Sequence, residues 1–390
     1  MPASKPKPKV NFARPNTLAV ELRRRINDKI RRENLLMRAY IALWAKGLLM
    51  IAWLVVSVGG LIFGPHTWWT IILLMISAAL ALVGVAFNIG HDFIHGAGFP
   101  KKLTDHSRTA RVFNKLGKMS FDAIGASSFI WYVKHVVAHH TWTNITGHDS
   151  DIDQAPAIRL DPAQEYRPWY RSQHIYGWLM YGLIVPKWHF IGDFSNLRSG
   201  KIAETEIPKM TLADRLTFWG GKLFFFSWAL GLPLWLHHDS PGKIAAVVAI
   251  YFGTAMMAGT VLALVFQLAH AIEGAKFVKP DDDGDGANAW GIHQLETTRD
   301  FYYSGRLLNK PINGLMSFYL GGLNFQAIHH ILPMLPHPLY HKVWREFAQF
   351  CADHDVEYVR IPLGRAIVLH GRWLYMMGRP SGHVTELPIA

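Results

Sequence analysis

Four apolar stretches constrain what this chain can fold into. Residues 41–63 (IALWAKGLLMIAWLVVSVGGLIF) and 67–87 (TWWTIILLMISAALALVGVAF) are separated only by Gly64 to His66. Residues 217–236 (TFWGGKLFFFSWALGLPLWL) and 244–269 (IAAVVAIYFGTAMMAGTVLALVFQLA) flank the linker HHDSPGK. About 20 apolar residues cross the hydrocarbon core of a bilayer as a helix, and helices satisfy their own backbone there. The chain is therefore expected to form two transmembrane helical hairpins. Its composition agrees, with 50% hydrophobic and only 17% charged residues in 390.

Charge sets the expected orientation. Residues 1–40 hold eleven Lys/Arg, whereas the two hairpin tips together hold one, Lys243. The positive-inside rule puts the N-terminus, the 88–216 segment and the 270–390 tail in the cytoplasm. The formal charge of +12 is then mostly juxtamembrane and needs no nucleic acid to explain it. Lys46 and Lys222, near span ends, are expected to snorkel to the headgroups. The segment 174–192 (HIYGWLMYGLIVPKWHFIG) is short and interrupted by His, Pro and Lys, and reads as an interfacial or partly buried helix. The N-terminus has no apolar signal core, so the first span is expected to act as the targeting signal.

A lone cysteine, Cys351, excludes an intramolecular disulfide and any multi-cysteine metal site. Metal chemistry would fall to the 21 histidines. His91 and His95 in NIGHDFIHGAGF are four apart, one helical turn on one face. His135 and His139 in WYVKHVVAHHTWTN repeat the spacing, with His140 beside them. His270 closes the fourth span in QLAHAIEG, and Gln326, His329 and His330 lie in GLNFQAIHHILP. By the topology above all of these sit at cytoplasmic helix ends and can converge. Neutral imidazoles with few carboxylates suit iron, zinc or copper. Eight histidines exceed one metal's coordination number, so two metals sharing eight or nine ligands is the economical arrangement. The tip and tail histidines (His66, His237, His238, His354, His370, His383) are read as ordinary hydrogen-bonded residues. Asp92, Asn144 and Asp149 are candidate partners that fix imidazole tautomers.

HDFIH, HVVAHH and QAIHH, flanked by two membrane hairpins, resemble the three histidine boxes of the integral-membrane fatty acid desaturase family, over about residues 40–360. HHTWTNITGHDSDID, LAHAIEGAKF, HQLETTRDF and Gln326 in the third box resemble the acyl-CoA and acyl-lipid desaturases of the linoleoyl-CoA, or front-end, subgroup. Two positions depart from it: Ile328 stands where Glu is common, and Val136 where Asn is. The resemblance implies an all-α integral membrane fold, four transmembrane helices in two hairpins with a cytoplasmic helical cap holding a histidine-rich dimetal site. It divides the chain into a basic cytoplasmic segment 1–40, a desaturase domain 41–360 and a cytoplasmic tail 361–390, in a bacterial inner membrane or an endoplasmic reticulum. It implies two iron ions bound by His91, His95, His135, His139, His140, His270, His329 and His330, with Gln326 binding directly or through water.

The implied reaction inserts a double bond into an acyl-CoA or acyl-lipid chain with O2 and two electrons. No amino-acid acid or base removes hydrogen from an unactivated methylene, so the metals carry that chemistry. No electron-transfer domain is evident, which points to a separate ferredoxin or cytochrome b5 with its reductase, attracted to a basic face. Lys134, Arg159, Arg167 and Arg171 are candidates for a coenzyme A phosphate or lipid headgroup. A membrane hydroxylase, ketolase or alkane monooxygenase is the alternative. A metal transporter or sensor is the remote one, and it would place ligands within the spans. The acidic run DDDGDG (281–286) lacks the twelfth-position Glu of a calcium loop, where Ile292 stands, and reads as a solvated loop.

Overall fold

The computed structural model describes residues 10–13, 16–64, 67–305 and 308–380; His66 and His383 lie outside them. A basic amphipathic helix α1 (Thr17–Arg32) leads into α2 (Leu36–Phe63) and α3 (Trp68–Ile94), which pack side by side. With α8 (Pro241–His270) they are the three helices among the described residues long and apolar enough to cross a membrane. Much of α2 is exposed, including Ile41, Leu48, Val55 and Val56, while the inner half of α3 is buried from Ala78 onward.

The third apolar run, 217–236, differs from the single helix expected. It is helical in three pieces, Leu212–Phe226, a π turn at Ser227–Gly231 and Leu232–Leu236, called α7 together. Pro233 has no N–H and its ring collides with the carbonyl four residues back. The wider π turn just before it takes up that conflict. The start of α7 is firm, because Thr211 and Asp214 form a reciprocal capping box.

Between the first hairpin and α7 lie α4 (Arg108–Lys118), α5 (128–142) and α6 (173–199). α6 exposes Ile175, Leu179, Leu183, Phe190 and Ile191 and packs its other face on α8. After α8 come α9 (Trp290–Thr297), α10 (Asn309–Tyr319), α11 (Gln326–Ile331), α12 (Tyr340–Asp353) and α13 (Leu363–Met377). Strand Asp300–Tyr302 pairs in parallel with Arg360–Pro362, tying the chain before α11 to the base of α13. α1 buries Leu22, Ile26 and Ile30 with α9, α11 and α12 in one apolar cluster, roofing the third histidine box.

The two span lysines turn inward, contrary to the snorkelling expected of them. Lys46 Nζ donates to Phe318 O at 2.8 Å. Lys222 Nζ donates to Asp193 at 2.7 Å and to Gly125 O at 2.7 Å. A buried ammonium needs a partner or its desolvation is uncompensated, and both find oxygen inside the bundle sooner than at a headgroup. Arg159 is likewise spent internally, donating to carbonyls of Pro162, Gln164, Met377 and Arg379.

Candidate metal centre

Two π turns aim the first two boxes. The helical path of α3 widens at Ala86–Gly90 just before His91, where Asn88 Nδ2 donates to Gly84 O and to Tyr319 O. In α5 the π segment Tyr132–His139 carries His135 and His139. Its wider turn leaves residues four apart nearly eclipsed, and the two rings stack with centroids 5.5 Å apart. π turns of this kind recur at functional sites. His270 is the last residue of α8, and His329 and His330 sit on α11, whose first turn is capped by Asp300 Oδ1 accepting from Ala327 N at 2.9 Å.

These elements bring all eight histidines into one buried volume. Ring nitrogens of His91, His95, His135 and His329 lie within 4.8 Å of one another, as do those of His139, His270 and His330. His140 stands between the groups, its ring centroid 4.5 Å from those of His95 and His329 and 4.2 Å from that of His330. Gln326 is buried against the second group, with its side chain on His270 and no partner for its Nε2. His237 and His238 stay apart from the eight in the link between α7 and α8, where His238 bonds Trp235 O. His354 lies on the surface of the cap beside Glu21, and His370 bonds Tyr181 and Ala271 O.

Each of the eight carries at least one buried ring nitrogen with no hydrogen-bond partner. Leaving such a group unsatisfied costs about 1–3 kcal/mol. Eight together would match or exceed the whole stability of a domain, roughly 5–15 kcal/mol. The donor set suits a nitrogen-binding metal far better than an empty polar pocket. Burial, reinforced by the neighbouring rings, holds His95, His135, His140, His329 and His330 well below the usual imidazole range, so their lone pairs stay free. His139 goes the other way: burial opposes its charge, but the Asp149 and Asp151 carboxylates outweigh burial and raise it.

Backbone and side-chain acceptors orient the second group. His139 Nδ1 faces Asp149 Oδ2 at 3.0 Å, His330 Nδ1 faces Gln294 Oε1 at 2.8 Å, and His270 Nδ1 faces Thr297 O at 3.2 Å. Each bond fixes a proton on Nδ1 and leaves Nε2 unpartnered. In the first group only His329 has such a bond, Nδ1 to Tyr340 Oη at 3.2 Å.

The three residues expected to fix tautomers therefore do different things. Asp149 contacts His139 directly. Asn144, in the left-handed region at φ 54°, donates to His270 O and Lys276 O and so pins the end of α8. Asp92 lies 3.7 Å from His91 Nδ1, beyond a hydrogen bond, and instead accepts from the backbone N–H and Nδ1 of His337. Gln294, Thr297, Tyr340 and His337 escaped the sequence reading. The string HQLETTRDF marked the first two without assigning them a task. Asp281 in the acidic run accepts from the N–H groups of Asp283 and Asp285, an exposed turn closed on itself.

The family profile for fatty acid desaturases matches residues 66–362. The chain belongs to the fatty acid desaturase family. It is 33% identical over 374 residues to the sn-1 linoleoyl-lipid 6-desaturase of Arthrospira platensis, covering 95% of each chain. It is 31% identical to the enzyme of that name from Synechocystis, covering 96% of this chain and 99% of the relative. It is 32% identical to an acyl-lipid (8-3)-desaturase of Physcomitrium patens over 71% of this chain and 54% of the relative. No solved structure matches it. The chain is thus an oxidoreductase of lipid metabolism, a fatty acid desaturase with apolar helices of membrane-spanning length.

Proposed function

We propose that this desaturase introduces a double bond into the acyl chain of a membrane lipid, using O2 and two electrons at a di-iron centre. The observation that carries this is the convergence of eight buried histidines with unpartnered ring nitrogens at the inner ends of apolar helices. His91, His95, His135 and His329 would hold one iron and His139, His270 and His330 the other. His140 stands within reach of either, and Gln326 completes the second directly or through water. When bound, the irons supply the oxidising power that an unactivated C–H bond requires.

The protein's own residues do the rest. Asp149, Gln294 and the Thr297 carbonyl keep protons on Nδ1 and present Nε2 inward. Tyr340 does the same for His329. Trp131 and Phe266 wall the centre on the side of His135, their ring centroids 5.1 and 6.0 Å from it, and keep bulk water off that face. The acyl-lipid substrate, and a linoleoyl chain in particular, is inferred from the relatives that bear those names.

The reading includes α7 as a fourth span, both hairpin tips outside, and both termini in the cytoplasm of a bacterial inner membrane. Segment 1–40 is then a basic cytoplasmic arm, 41–360 the desaturase domain and 361–390 a tail. Electrons come from a separate ferredoxin or cytochrome b5 with its reductase. The test is the double-bond-resolved fatty acid profile of a host expressing the wild type or His139→Ala/His140→Ala. A new unsaturated acid with the wild type alone supports the proposal. Hydroxylated or oxo products would replace it with a hydroxylase.

A further inference from the structure

Helix α4 (Arg108–Lys118) carries three stripes at helical spacing. Ala110 and Gly117, seven apart, are its two buried residues. Thr109, Val112, Phe113 and Leu116 form an exposed and mainly apolar stripe. Arg108, Arg111, Lys115 and Lys118 form a basic one, the first three exposed and Lys118 set over the ring of Tyr132. Lys101 and Lys102 precede the helix, so six Lys/Arg face a single carboxylate, Asp105, between residues 101 and 118.

The seat of this helix is the first histidine box. Gly117 lies against Phe93, where a Cβ would collide with the ring, and Phe93 is buried between His91 and His95 in the chain. Trp44 of α2 meets Phe93 edge-on with centroids 5.0 Å apart and meets Phe113 of α4 at 6.0 Å. Two buried residues give α4 little hold on the protein, so its position depends on what covers its other faces. Leu116 lines one groove with Ile51 and Val55, which are exposed on the span α2. The apolar stripe is therefore continuous with a bilayer-facing surface, and such a patch marks an interaction site. A helix with Lys and Arg beside an apolar face lies in the interfacial plane and favours anionic lipid. A docking face for an acidic soluble protein would not need its apolar stripe to run into a span.

We propose that α4 is a binding site for anionic phospholipid, lying in the headgroup plane beside α2, and that its docking there holds Phe93 and with it the first group of histidines. This rests on the membrane and metal-centre reading above and adds to it a lipid that regulates the centre. Lipid bound at α4 and iron bound at His91 and His95 are then linked through Gly117 and Phe93. Linkage is reciprocal, so each strengthens the binding of the other by the same factor.

The test uses the full-length iron-loaded protein in phosphatidylcholine nanodiscs, with and without phosphatidylglycerol, and spin-labelled forms of both lipids. The wild type is expected to favour phosphatidylglycerol at least about fivefold, the gain from one cation at an anionic surface. Arg108→Gln/Arg111→Gln/Lys115→Gln should lose most of that preference, whereas Arg108→Lys/Arg111→Lys should keep it, with circular dichroism as the check on folding. A nitroxide on Val112→Cys, free of competition from the buried Cys351, should lie out of reach of a water-soluble relaxing agent. Iron affinity, read by competition with a chelator, should rise about fivefold with phosphatidylglycerol present, and removal of iron should weaken phosphatidylglycerol association by the same factor. No lipid preference, a preference untouched by the triple variant, or a water-exposed label overturns the proposal. Iron affinity independent of the lipid overturns the coupling through Phe93. Capture of an acidic ferredoxin by the basic stripe in place of lipid overturns the choice of partner. None of these readouts needs turnover, so each failure leaves the desaturase reading standing.

Discussion

The two groups of histidines are built differently. In the group His139, His270 and His330, every Nδ1 is held by an acceptor, whether a carboxylate, a backbone carbonyl or an amide. In the group His91, His95, His135 and His329, only His329 has a comparable bond, and Nδ1 of both His91 and His135 is unpartnered. That group is positioned by where its helices end and by rings packed face to edge or stacked, with Trp131 on His135. The difference teaches that imidazoles can be aimed by hydrogen bonds or by the backbone path and packing. The first way concentrates sensitivity in a few partner residues; the second spreads it over the fold.

The largest break should come from the histidine that stands between the halves. His140→Ala is expected to lower product formation by more than about 100-fold, beyond the range for outer partners, with iron content falling in parallel; retention of full iron would remove His140 from the ligand set. Asp149→Ala should weaken iron binding by about 10–100-fold, read by competition with a chelator, because it frees His139 and releases the backbone N–H groups of Asn144 and Asp151 as well. Gln294→Ala, which unhooks His330 and Thr143 together, is expected to cost about tenfold in the same assay. Tyr340→Phe removes the single bond to the first group. At about 0.5–1.5 kcal/mol for such a bond, iron affinity should change only a few-fold, and a loss as large as that of Asp149→Ala would erase the contrast between the halves.

Much of this was legible in the residues. Apolar length located α2, α3 and α8, and the spacing and sidedness of the histidines named the eight that converge. Their partners were not legible, for a physical reason. Thr297 acts through a backbone carbonyl that any residue type would supply, and Gln294 through a contact across 36 positions. Neither leaves a local pattern. Asp92, next to His91 in the chain, turns to His337 far along it, so adjacency misled there. Lys46 and Lys222 turned inward because acceptors from distant segments, Phe318 O and Asp193, were nearer than water. Pro233 was in plain sight, and the broken geometry of α7 follows from it.

The most direct measurement is the metal content of the purified wild type, by mass spectrometry together with Mössbauer spectroscopy after loading with labelled iron. The account predicts about two irons per chain in nitrogen-rich sites, because eight imidazoles exceed what one ion takes, and two spectral components, because the surroundings of the halves differ. One iron per chain, or zinc in place of iron in a desaturating preparation, would contradict it.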